Sequence, residues 1–155
     1  DQTLPLTCFL LGSRLGALLD RYWHCNPTEN LQLPAECARF ADFIVDELQS
    51  GRLADPFVGE VLAFERACTE LRFFSAEELA SRTETQPRLP AKVRVLHFQH
   101  DPEPLLEALS ELKPPPENLA EGDFHLAVDA RSDEAVFRLL DPVAAAALLG
   151  SRNAL

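Results

Sequence analysis

The side chains best suited to chemistry in this chain are few and far apart. His97 and His100 bracket Phe98-Gln99 in an H-x-x-H spacing, and His125 follows further on. On a helix that spacing brings two imidazoles to one metal ion. Here it falls at the end of a β-branched run, where positions i and i+3 face opposite sides of a strand. A metal site built from His97, His100 and His125, the last on a neighbouring strand, is the sharper expectation; a half-exposed sheet surface is the plainer one. The second cluster is Tyr22-Trp23-His24-Cys25, which holds the only Tyr and the only Trp of the chain. Neighbours on a helix point about 100° apart, so His24 and Cys25 do not readily chelate one ion together. Cys25 as a nucleophile needs a base from elsewhere in the fold. The plainer expectation is that Tyr22 and Trp23 pin the end of the first helix to its neighbours.

Glu65 stands apart from the other acids because it lies in the most apolar helical stretch, LAFERACTEL. A carboxylate there is expected to make a helix-to-helix bond or cap rather than do acid–base work. The sequence has no Gly-rich phosphate loop, nucleophile elbow, H-E-x-x-H or P-loop, and no convincing pair of catalytic carboxylates.

The totals narrow the classes of partner. The chain has 155 residues, enough for one domain or two small ones sharing a core. With 25 acids against 14 bases the net charge is −11, and the only basic stretch is the thin pair Lys92 and Arg94. A free-standing nucleic-acid binder needs a basic face to displace counterions, and an anionic membrane surface needs the same, so neither partner is expected. No apolar run reaches the roughly 20 residues of a membrane span. The opening LPLTCFLLGSRLGALL is interrupted by Arg14 and lacks a basic lead-in and a small-residue cleavage site, so it reads as a helix rather than a leader. The cysteines at 8, 25, 37 and 68 form no C-x-x-C pair and sit in apolar helical patterns, as buried free thiols of a cytoplasmic protein would.

Around these residues the pattern predicts an α+β chain. Apolar positions from Pro5 to Trp23 fall on one stripe and predict one helix, ended by Asn26-Pro27. A second helix starts near Pro34 and stops at Gly51. A third starts at Asp55-Pro56 and runs to Phe73 or Phe74, with Ser75 to Glu78 as a capping box for a further short turn. Residues 1–82 are thus a bundle of about three helices, and 83–90 a linker. Residues 91–155 read as a small sheet domain. Lys92 to Phe98 is a strand, and Asp101-Pro102 caps a short helix. Residues 123–129 form a strand with Phe124, Leu126 and Val128 on one face and Asp123, His125 and Ala127 on the other. A turn at 130–134 leads to a partner strand at 135–140, and Asp141-Pro142 caps a final helix. An exposed edge of such a sheet accepts an extended peptide through main-chain bonds, a function with almost no sequence signature.

Two stretches carry a family resemblance. Phe40 to Phe74, with VGEVLAFERACTEL, resembles a helix pair whose second member has a leucine-alanine-x-leucine-glutamate-x-alanine pattern. LHFQHDPEPLLEAL followed by FHLAVDARSDEAVFRLLDPVAAAALL resembles the strand, short helix, hairpin and apolar helix that follow in the same family. The family is that of the small partner proteins of multinuclear non-haem iron-dependent oxidases, which act in the biosynthesis of ribosomally made peptide natural products. The likeness spans roughly residues 35 to 150; the Tyr- and Arg-rich N-terminal helix of the family is not recognisable in residues 1–30.

The resemblance implies a winged-helix-like, peptide-recognising sheet domain after the helices. It also implies a non-catalytic subunit that binds a precursor peptide and presents its Cys to a TIM-barrel oxidase, with thiaglutamate formation as the nearest type. Iron would belong to the oxidase, and this chain would carry no cofactor. On that reading Val93, Val95, His97 and Phe98 of the first strand, with His125 and Phe137 of the hairpin, contact the peptide. Tyr22, Trp23 and Glu65 lie at the interface with the oxidase. Two other functions stay open: a winged-helix DNA-binding regulator, opposed by the four acids and absent bases of DPEPLLEALSEL, and a small metal enzyme using the three histidines.

Overall fold

Gly12 breaks the helix expected along the first apolar stripe. The computed structural model describes residues 4–26, 33–82, 89–132 and 134–150. In it the single helix expected from Pro5 to Trp23 is two, α1 (Pro5–Leu11) and α2 (Arg14–Cys25). Gly12 sits at φ +50°, a conformation that side-chain-bearing residues rarely adopt. Arg14, which looked like an interruption of the stripe, is what fastens the break. Its guanidinium donates to the carbonyl of Leu10 at 3.0 Å and pairs with Asp55 at 2.6 Å. Asp55 in turn accepts from the amides of Phe57 and Val58 at 3.0 and 3.1 Å, so one carboxylate both starts a helix and holds the α1–α2 corner.

The rest of the helical half follows its caps. Helix α3 (Leu33–Gln49) ends where Gly51 takes φ +72°, and α4 (Val58–Phe73) follows Asp55. The Ser75/Glu78 box is reciprocal, at 2.8 and 3.2 Å, and starts a full short helix, α5 (Ala76–Arg82), rather than a turn. Among the described residues, 5–82 therefore hold five helices, not about three. Leu11, Leu18, Tyr22, Phe40, Ile44, Val58 and Leu62 form their core.

The second half runs β1 (Val93–His100), α6 (Pro102–Ser110), β2 (Glu121–Asp129), β3 (Val136–Leu140) and α7 (Pro142–Leu149). Asp101 and Asp141 cap α6 and α7 by accepting from Glu103 N and Ala144 N at 3.1 and 2.8 Å. The strands make one antiparallel sheet in the order β1-β2-β3, with Val95 opposite Ala127 and Ala127 opposite Arg138. Alternation divides its faces. Leu96 and Val128 pack on Leu71, Leu79 and Phe64 of the helices, whereas Val95 and Leu140 pack on Ala145 of α7. The fold is α+β, with helices first and the sheet after. Most of the linker expected at 83–90 lies outside the described residues, and the two halves pack on each other, because Val61 of α4 meets Leu105 and Leu109 of α6 together with Leu6 and Phe9 of α1.

Candidate functional site

The aromatic cluster at the end of α2 is mostly core. Tyr22 is 1% exposed, its ring lies edge-on to Phe40 and Phe43 at 5.2 and 5.5 Å, and its hydroxyl donates to Glu36. Burial, then the Glu36 carboxylate, pushes its phenol up to about 12. Trp23 stacks edge-on against Tyr22 at 5.0 Å yet keeps 43% of its surface exposed. Of the three residues expected at an interface, only Trp23 has surface to offer. Glu65 is 5% exposed. Its two oxygens accept from Leu6 N and Thr7 N at 2.7 and 2.8 Å, so this residue of α4 caps the first turn of α1. Burial raises its pKa despite those bonds. The four cysteines are free. Against the expectation of buried thiols, Cys25 is exposed and Cys8, Cys37 and Cys68 are partly buried. Burial, with the nearby Glu65 charge, raises Cys8 and lifts Cys68 to about 11, which favours the protonated thiol over the nucleophilic thiolate in both.

The three histidines do not converge. His97 Nε2 lies 2.6 Å from Asp123 Oδ1, and its ring is 5.3 Å from that of His125, its partner across the sheet. His100 goes elsewhere. The register shifts after Phe98, and His100 Nδ1 lies 3.2 Å from Glu60 Oε2, with its ring edge-on to Phe57 at 4.8 Å. Among the described residues no group of three or more His, Cys, Asp or Glu is arranged to hold a metal ion. The three-histidine alternative needs His100 beside His97 and His125, and the register shift instead sets His100 against Glu60 of α4.

Strand β1, expected to supply most of the peptide contacts, contributes to the core from both faces and is exposed only at His97 and Gln99. Val95 and Phe98 are 4% and 0% exposed, so their side chains belong to the core and have little to offer a ligand, whereas Val93, 8% exposed, reaches the groove beside β3. Glu60 of α4 accepts the amide of Gln99 at 2.6 Å. The basic pair is also occupied. Lys92 Nζ binds the carbonyls of Leu71 and Phe74 at 2.7 and 2.5 Å, capping the C-terminal end of α4. Arg94 folds onto the carbonyls of Ala91 and Val93 at 3.0 and 2.9 Å. Neither base faces outward to meet a phosphate backbone. His97 and His125 remain on an open part of the β1–β2 surface, half-exposed to exposed.

Strand β3 is the opposite case. It pairs with β2 alone, and no hydrogen bond from any other described residue reaches the backbone of Val136 to Leu139. Val136 and Phe137 are 55% and 50% exposed. Phe137 rests on Phe64 of α4, with ring centroids 5.4 Å apart, and its other side faces solvent. On the opposite face of the strand a groove of about 300 Å³ runs between the sheet and α7, with Leu89, Val93, Val136, Leu140 and Leu148 as its apolar lining. Its polar atoms come from Asp129, Arg131 and Arg138. Arg131 binds Asp129 at 2.5 Å and holds that carboxyl below its usual range. Arg138 was missed from the sequence. Its signal was a strand, AVFRLL, apolar on both faces except at one position.

No protein-family model matches this chain, and no curated protein matches it. Among the described residues no helix is long and apolar enough to cross a membrane.

Proposed function

We propose that this chain is a non-catalytic partner subunit that binds a ribosomally synthesised precursor peptide and presents its Cys to a TIM-barrel multinuclear iron oxidase in the cytoplasm. The observation that carries the reading is the unpaired apolar edge of β3. A strand edge offers a row of amides and carbonyls that an extended peptide completes, and exposed side chains on either side give it pockets. The peptide site moves accordingly from β1 to β3, with Phe137 kept from the original set and His97 and His125 at its margin. Trp23 is the residue best placed to meet the oxidase, since an exposed aromatic is a common anchor at interfaces. The iron, and the chemistry of the thiaglutamate type, would reside in the oxidase. A nucleic-acid role has less support, because α6 carries Glu103 and Glu107 and no base, and Lys92 and Arg94 are bound to carbonyls.

The test is to purify the chain from its native cells, identify co-purifying proteins by mass spectrometry, and assay iron. A barrel protein carrying iron at about equal stoichiometry is the expected result. A chain that purifies alone and without iron overturns the proposal.

A further inference from the structure

The groove beside β3 has a charge balance opposite to that of the chain as a whole. The chain is net −11, yet this groove contains one acid and two bases. Asp129 is already neutralised by Arg131, so Arg138 is the remaining charge, and it makes no hydrogen bond or ion pair with any described residue. Its neighbours in the sheet on that face are apolar. Across the sheet Arg138 stands opposite Ala127, and Ala127 opposite Val95, so a small side chain and a buried one lie beside the guanidinium. Two positions away in either direction on the same face are Val136 and Leu140. A guanidinium over an apolar floor is matched by a carboxylate, which it binds with two parallel hydrogen bonds.

Resting on the reading of β3 as a peptide-binding edge, we infer that the groove selects an extended peptide segment with an acidic residue opposite Arg138 and apolar residues two positions to either side. A strand added to β3 lies roughly 4.8 Å away, and its alternate side chains stand over the groove. The acid then meets Arg138, and its apolar neighbours meet Val136 and Leu140. The intervening residues turn to the other face and meet Phe137. Arg138 is thus a specificity-determining residue, and Asp129, held by Arg131, is prevented from competing with the ligand's acid.

The experiment is selection of a random-peptide display library on the wild-type chain and on Arg138→Glu, followed by binding of the synthetic consensus peptide. The wild type is expected to enrich an Asp or Glu flanked at two residues by apolar side chains, and Arg138→Glu to replace that acid with Lys or Arg. The wild-type consensus should bind Arg138→Glu at least about tenfold more weakly, and Arg138→Lys should recover part of the loss. Because Arg138 is exposed, both variants should keep the wild-type melting temperature. Enriched peptides without an acid preference, binding Arg138→Glu as well as wild type, overturn the inference. The edge reading is judged separately with the consensus peptide N-methylated at alternate residues. Lost binding supports strand addition, and retained binding removes it. A library in which nothing is enriched overturns both.

Discussion

The two edges of the sheet have been treated in opposite ways. At β1, α4 supplies a carboxylate to the Gln99 amide, Lys92 and Arg94 fold back onto carbonyls, and Phe98 is fully buried. At β3 no such cover exists, and Val136 and Phe137 stand half in solvent. Chains usually blunt a free edge with Lys, Pro, a bulge or a covering element. Strand β1 has the covering element and a register shift; β3 has neither, and has no Lys or Pro within it. The proposed function rests on that contrast, with Arg138 the one charge on the open strand.

The sharpest way to break the contrast is to truncate the same residue type on each strand. Phe98→Ala should cost about 3–5 kcal/mol in urea unfolding, whereas Phe137→Ala should cost no more than about 1 kcal/mol while weakening peptide binding. Equal losses would mean that β3 is as structural as β1.

A pH profile separates edge effects from general acid sensitivity. Glu47, 2% exposed, accepts from Arg52 at 2.7 Å and from Arg21. Burial pushes its pKa up, but the hydrogen bonds from the two arginines outweigh that and leave it below the usual value of 4.5. A carboxyl lowered by folding stabilises the fold fully above its unfolded pKa, and that stability is lost as pH falls through the folded value. Glu47→Gln should therefore be less stable than wild type by about 1–2 kcal/mol at neutral pH. The gap should hold down to about pH 4.5 and close below it, as read by melts across that range.

Opening the guarded edge is a smaller perturbation. Glu60→Gln should cost about 1 kcal/mol. It should also speed hydrogen exchange at Gln99 without changing exchange in β3; faster exchange in both strands would show that the edges are not independent. The smallest effect belongs to Val136→Lys, expected within about 0.5 kcal/mol of wild type in stability, yet blunting the edge against both self-association and peptide.

Much of this architecture was legible in the sequence where the signal is local. Asp101, Asp141 and the Ser75/Glu78 pair mark their helices, and the alternation from Asp123 to Asp129 gives the two faces of β2 correctly. What escaped depends on contacts distant in sequence. The stripe from Pro5 to Trp23 stays in phase across Gly12, so nothing local announces the corner that Arg14 and Asp55 fasten. The register shift that sends His100 to Glu60 likewise has no signature of its own. Lys92 and Arg94 read as a thin basic stretch, yet both are satisfied by backbone carbonyls, which a sequence pattern does not announce. Which edge is free is a property of where α4 and α7 come to rest, and a hydrophobic pattern does not contain it.

Helix α4 touches nearly everything described above: Glu65 caps α1, Val61 meets α6, Glu60 holds β1, Phe64 supports Phe137, and its last carbonyls hold Lys92. A molecule wired through one rod has no seam along which to come apart. Its helices and strands should melt in a single transition, and the amide protons of Val61 and Leu62 should exchange with solvent only when the whole chain unfolds.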